Sequence, residues 1–178
     1  QSIYDPCMGW GHRLLGAKDI TYIGNDICEE TYLGNKNIAD YFKMENKTFY
    51  NHPAEEFIPE ESYEAVFTCP PYFDVEIYDG DDTSTERYKD YDSWLNVWWR
   101  KVVQNCLVKN PKYFSFVINN TYKADMKKVC LEEGLQFIEE VPVGKNTKNH
   151  FQRSSENSFK GESLLVFKYW SNYDENAG

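Results

Sequence analysis

A Rossmann-like α/β sandwich with a mainly parallel sheet is the fold that the sequence predicts, and three observations carry it. Short β-rich segments alternate with helical ones along the 178 residues. The strand-like segments are nearly continuous in apolar residues, as strands covered on both faces must be. The last two are separated by a polar loop rather than a crossover helix, which makes them an antiparallel pair. A chain of this length fits one domain, taken here as residues 1–178.

Each element has a local reason. Ile3 and Tyr4 open a first strand that breaks at Asp5-Pro6 and a glycine-bearing turn, after which His12 to Ala17 starts a short helix. Ile20 to Asp26 is a second strand ending in an acidic residue, and Glu29 to Lys43 carries Tyr32, Leu33, Ile38, Tyr41 and Phe42 at helical spacing. Thr48 to Asn51 is a third strand. Ala65 to Cys69 is a fourth, stopped at Pro70-Pro71 because proline lacks the donor a central strand needs. From Phe73 to Asp92 eight acidic residues face only Arg87 and Lys89, which predicts a polar loop. Ser93 or Asp92 can cap the helix Trp94 to Val108, whose Leu95, Trp98, Val102 and Cys106 share a face. Tyr113 to Ile118 is a buried strand, Ala124 to Glu133 a helix closed by Gly134, and Leu135 to Val141 and Ser163 to Tyr169 are the final strands.

Composition narrows the function classes. The net charge of −10 excludes a surface that is basic all round. Aromatic residues at 17% supply an ample core and argue against disorder. No apolar run reaches the roughly 20 residues of a membrane span, and the N-terminus carries no signal peptide, so a cytoplasmic protein is expected. The five cysteines form no CxxC pair, which indicates reduced and mostly buried thiols with no metal site.

Three segments carry chemistry. Asp5-Pro6-Cys7-Met8-Gly9-Trp10-Gly11 lies between a strand and a helix, where glycines let backbone amides approach a ligand at the carboxyl edge of the sheet. Asp26, at the end of the second strand, can accept hydrogen bonds from both ribose hydroxyls of an adenosine-containing cofactor. Thr68-Cys69-Pro70-Pro71-Tyr72-Phe73 ends the fourth strand on a rigid Pro-Pro step. Such a step can aim a carbonyl at an amino group and leave an aromatic ring to stack on a planar one.

The order DPCMGWG, Asp26, TCPPY resembles the S-adenosylmethionine-dependent methyltransferases of exocyclic amino groups, chiefly the DNA N6-adenine and N4-cytosine enzymes. With GWGHRLLGA, YIGND, PAEEF and FTCPPYFDVEIY, the likeness to a phage and bacterial DNA methylase group runs from Ile3 to about Asn119. The resemblance implies a class I methyltransferase fold in a bacterial or phage-infected cytoplasm. It implies that Asp5, Cys7, Gly9 and Gly11 line the methionine end of S-adenosylmethionine, Asp26 its ribose, and Ala54 and Glu55 its adenine. Thr68, Cys69, Pro70, Pro71 and Tyr72 would form the catalytic motif, with the Pro70 carbonyl accepting from the amine and Tyr72 stacking on a base flipped out of DNA. Cys69 stands where Asp, Asn or Ser is usual, and Pro53 where an acidic residue often reads the cofactor's adenine. A C5-cytosine mechanism is disfavoured, because its cysteine would follow a proline pair and Cys69 precedes one.

On the substrate side, Phe73 and the basic loop 144–161, with Lys145, Lys148, His150, Arg153 and Lys160, are the candidates for gripping DNA. Since the chain is already in a strand by Ile3, an N-terminal truncation is expected, with either the lost residues or a partner subunit or dimer supplying DNA affinity. Adenine N6 stands ahead of cytosine N4. An RNA or protein-amide acceptor, and a catalytically silent binding subunit, stay open.

Overall fold

The computed structural model describes residues 1–73, 83–143 and 161–170. The basic residues Lys145, Lys148, His150, Arg153 and Lys160, and the acidic run 74–82, lie outside the described residues. Seven strands form one sheet: β1 (Ser2–Asp5), β2 (Thr21–Asn25), β3 (Lys47–Tyr50), β4 (Ala65–Thr68), β5 (Tyr113–Asn119), β6 (Gln136–Val143) and β7 (Glu162–Lys168). Their spatial order is β3-β2-β1-β4-β5-β7-β6. The first five are parallel to one another, and β7 inserts antiparallel between β5 and β6. Strand order reverses between β1 and β4, the place where open α/β sheets form their binding crevice. The glycine turn after β1 and the Pro-Pro step after β4 therefore stand side by side.

The helices are α1 (His12–Gly16), α2 (Glu29–Tyr41), α3 (Ser84–Arg87), α4 (Tyr91–Ser93), α5 (Arg100–Leu107) and α6 (Lys123–Glu132). Glu29 and Glu30 in the first turn of α2 complement its dipole. Gly134, at φ 87°, closes α6 as its position in the sequence predicts. Two expectations change. The acidic stretch is not wholly loop: Thr83 caps α3 by accepting from the Glu86 N–H. The next helix starts earlier than Trp94, at Tyr91, capped by Asp90 rather than by Asp92 or Ser93. Between α4 and α5 the chain runs as a π-helix over Trp94–Trp99. Its i→i+5 winding accommodates Trp94, Trp98 and Trp99, all buried, where α-helical spacing had placed only Trp98.

The main core lies on the α5–α6 side and gathers the three tryptophans with Phe114 and Phe116 of β5 and Phe167 of β7, Trp99 being in ring contact with Phe114 and Phe116. A smaller cluster on the α1–α2 side joins Met8, Leu14, Ala17, Tyr22 and Ala39. Cover is uneven. On the α1–α2 side, Phe67, Val117, Leu164 and Val166 stay only half-buried. Cys106 and Cys130 are buried, but Cys7 and Cys69 are half-buried and Cys28 is exposed, because the last three sit at the edge where the loops gather rather than in the core.

Phe116 is fully buried, stacked on Phe167 and edge-on to Trp99 at 4.9 Å. Phe116→Ala removes that contact from both sides and is expected to lower the unfolding free energy by about 3–5 kcal/mol, read from the urea midpoint.

Candidate active site

The site is assembled around Asp5, the last residue of β1, which is wholly buried. Its Oδ2 accepts from Arg13 Nε at 2.6 Å and from the Tyr22 hydroxyl at 2.8 Å. Its Oδ1 accepts from the Thr68 hydroxyl at 2.8 Å and the Cys7 N–H at 3.3 Å. One carboxylate thus joins β1, β2, β4 and α1. Arg13 also donates to the Cys7 carbonyl, clamping the turn from beneath. Burial alone would lower the Arg13 pKa, but the charge and hydrogen bonds of Asp5 more than offset it and hold the guanidinium above its ordinary range. Burial, then Asp5, raises the Tyr22 phenol, so it stays a donor.

The glycine turn has little freedom. Gly11 adopts φ 89°, and a Cβ there would meet Ile38 of α2 at 2.6 Å. Gly9, at φ 58°, donates its N–H to Asp26 Oδ2 at 3.0 Å, and its carbonyl accepts from Asn35 of α2 at 2.7 Å. Asn25 holds the other side, donating to the carbonyls of Pro6 and His52 and accepting from the His52 N–H. Trp10, between the two glycines, is 72% exposed.

Asp26 follows β2 directly. Its second oxygen accepts from the Cys28 N–H at 3.0 Å. Burial raises its pKa above the usual carboxylate value, with the N–H groups of Cys28 and Gly9 pulling the other way. Two acceptor positions are occupied of the four or so a carboxylate offers, which leaves capacity for a pair of hydroxyls.

Ala54 and Glu55 lie on a 3-10 turn, Ala54–Glu56, beyond β3. The Glu55 carboxylate turns towards the helices: it accepts from Trp98 Nε1 at 3.1 Å and pairs with Arg87 at 3.0 Å. The backbone of the turn is pinned by Asn105, which donates to the carbonyls of both residues.

Thr68 ends β4, and its hydroxyl contact with Asp5 ties the Pro-Pro step to the glycine turn. Cys69 is half-buried, with Sγ 4.0 Å from the Tyr72 hydroxyl. Tyr72 is 6% exposed, so protein covers its ring, and its hydroxyl donates to Glu162 Oε1 at 2.7 Å. Burial, then Cys69 and Glu162, keep that phenol neutral by raising its pKa far above the ordinary value. Phe73 packs edge-on against Tyr91 at 5.5 Å and near Trp94 at 5.9 Å, which makes it part of an aromatic wall. Asp5, Cys7, Gly9, Gly11, Asp26 and Thr68 to Tyr72 therefore gather at one end of the sheet, while the Glu55 carboxylate is engaged by Trp98 and Arg87. Arg13, Tyr22, Asn25, Asn35 and Glu162 belong to the same network and were not singled out by their sequence context. A polar residue closing an apolar strand was the one available signal for Asn25.

No family profile matches the chain, and no curated protein matches it by sequence. Solved structures do match by shape. TrmN from Thermus thermophilus superposes with a TM-score of 0.67 at 13% identity, covering 95% of this chain and 44% of that one. A Listeria monocytogenes protein assigned to the class I S-adenosylmethionine-dependent methyltransferases gives 0.66 at 16% identity, covering 96% and 54%. This is the class I methyltransferase fold. Magnesium protoporphyrin IX methyltransferase from Synechocystis, solved with bound S-adenosylmethionine, shares it with a TM-score of 0.59 at 12% identity, covering 95% and 69%. The chain spans about half the length of the first two. Among the described residues no cluster suits a metal ion, and no helix is long and apolar enough to cross a membrane.

Asp5→Ala would leave Arg13, Tyr22 and Thr68 facing a hole, with a largely buried cation uncompensated. A loss of about 3–5 kcal/mol is expected in chemical denaturation, with Asp5→Asn intermediate because it can still accept.

Proposed function

We propose that this chain transfers a methyl group from S-adenosylmethionine to the exocyclic amino group of a DNA base, adenine N6 ahead of cytosine N4. The observation that carries the reading is the juxtaposition of the TCPPY step with the glycine turn, made by the Thr68–Asp5 hydrogen bond across β1 and β4. The fold supports the cofactor, since its shape is shared with a methyltransferase solved with S-adenosylmethionine bound. The residues fit it too: Gly11 adopts φ 89°, a backbone that L side chains rarely adopt, and Asp26 is a half-buried carboxylate with acceptor capacity for two ribose hydroxyls.

S-adenosylmethionine, when bound, supplies an activated methyl group on its sulfonium. Alignment and electron density are the protein's share. The Pro70 carbonyl, held by the Pro-Pro step, accepts an N–H of the target amine and draws density onto its nitrogen. The resemblance implies that Tyr72 stacks on the base, but its ring is buried in the core, so here it backs the Pro-Pro step instead. Flipping a base to reach the Pro70 carbonyl costs about a few kcal/mol, and Lys145, Lys148 and Arg153 are the candidates for offsetting that through phosphate contacts. No covalent nucleophile is needed, so Cys69 acts as a neighbour of the amine rather than as an attacking thiolate. An RNA acceptor is the second reading, because a Pro-Pro-Tyr step can hold the planar amino groups of either nucleic acid.

Expression in a host without DNA methylation, followed by mass spectrometry of digested DNA, should reveal N6-methyladenine or, failing that, N4-methylcytosine; methylated RNA alone would move the reading to its alternative. Tyr72→Ala should cut transfer about ten- to a hundredfold while cofactor affinity holds.

Asp26→Ala should weaken S-adenosylmethionine binding by about ten- to a hundredfold in calorimetry. The ribose hydroxyls need the ionised carboxylate, whose pKa is raised, so wild-type affinity should be complete above that pKa and fall as the pH drops through it. Asp26→Asn should bind more weakly and lose this acidic limb.

A further inference from the structure

Glu162 stands 90 residues from Tyr72 along the chain. It is the first residue of β7, and because β7 runs antiparallel to β5 it pairs with Asn119 at the carboxyl end of β5. That reversal delivers the start of a strand to the edge where the parallel strands finish. A carboxylate from the far end of the sequence thereby reaches the Tyr72 hydroxyl, which donates to Oε1 at 2.7 Å. A hydrogen bond from a neutral hydroxyl to a carboxylate is among the shorter and stronger kinds.

Tyr72 is buried in the main core, so packing confines its ring, while its hydroxyl needs a polar partner there. Phe73, its neighbour, is held by the rings of Tyr91 and Trp94, whereas among the described residues no aromatic ring packs against that of Tyr72. Cys69 Sγ stands 4.0 Å from the hydroxyl, and a thiol is a weak partner at best. Glu162 is the group that fixes the phenol end of the ring.

We infer that Glu162 is a positioning residue of the amino-group site, acting through Tyr72. The inference rests on the amino-methyl transfer reading above. Tyr72 follows the Pro-Pro step directly, so a shift of its buried ring moves the Pro70 carbonyl that takes the amine, and a displacement of about 1 Å there costs on the order of a hundredfold in rate. Glu162 makes no contact with the methyl donor in this account, so its removal should leave cofactor binding alone.

The test compares wild type, Glu162→Gln, Glu162→Ala, Tyr72→Phe and the double variant Tyr72→Phe/Glu162→Ala. Initial rates are measured with radiolabelled S-adenosylmethionine and genomic DNA from a methylation-free host, alongside calorimetric cofactor binding. Expected are unchanged cofactor affinity throughout, a fall of about tenfold or more in kcat/KM for Glu162→Ala and Tyr72→Phe, and partial rescue by Glu162→Gln, whose amide oxygen still accepts. The double variant should be no worse than the worse single one, because both remove the same hydrogen bond. Additive losses, or a Glu162→Ala enzyme as active as wild type, would overturn the inference and leave the function reading standing. A wild type that binds S-adenosylmethionine and transfers no methyl group overturns the function reading, and the inference falls with it. Should Glu162→Ala melt below the assay temperature, Glu162→Gln and Tyr72→Phe carry the same comparison.

Discussion

The carboxylate of Asp5 is the constraint on which the rest of the site depends. It is buried without exposure and receives donors from three other elements, so β1, β2, β4 and α1 must meet at one point or leave a charge in the core unpaired. Burying an ion pair such as Asp5–Arg13 adds little stability by itself, because desolvation cancels most of the attraction. What it contributes is specificity. The glycine turn is clamped from beneath by Arg13, from α2 by Asn35 and from β2 by Asn25, and each clamp is correct in one register only.

That network also accounts for what could and could not be read in the sequence. Strands and helices were legible because their signals are local: apolar runs, acidic first turns, Gly134 and the Pro-Pro stop. The gathering of the segments that end β1, β2 and β4 was legible because a turn motif sits where each strand finishes at one edge of the sheet. Arg13 was hidden in a short helix whose other residues look ordinary, and only the tertiary position of Asp5 gives it a partner. Glu55 is the opposite case. Its place in PAEEF suggested the cofactor's adenine, yet its carboxylate is bound to Trp98 and Arg87, residues whose proximity no local pattern announces. The acidic stretch before α4 concealed two caps, Thr83 and Asp90, because charge density masked the cap signal.

The aromatic content, high for a chain of this size, is concentrated behind the site. Trp94, Trp98 and Trp99 fill the space between α5 and the sheet, and the π-helical winding lets three large rings point inward over six residues. Tyr91 and Phe73 extend that wall up to the Pro-Pro step. The candidate motif is thus backed by an aromatic surface on one flank, and its Tyr72, buried in the same core, is tied at its hydroxyl to Glu162.

The uneven cover of the sheet has a colloidal side. Phe67, Val117, Leu164 and Val166 are half-buried on the α1–α2 side, and the edge strand β6 leaves Ile138, Val141 and Val143 open to water. Among the described residues no strand pairs with the outer side of β6, and an apolar row beside such an edge is adhesive between molecules of the same chain. The net charge of −10 opposes that by mutual repulsion, which acts over only about 8–10 Å at physiological ionic strength and less as salt rises. Salt, which loosens most contacts between charged molecules, should therefore make this one more prone to self-association.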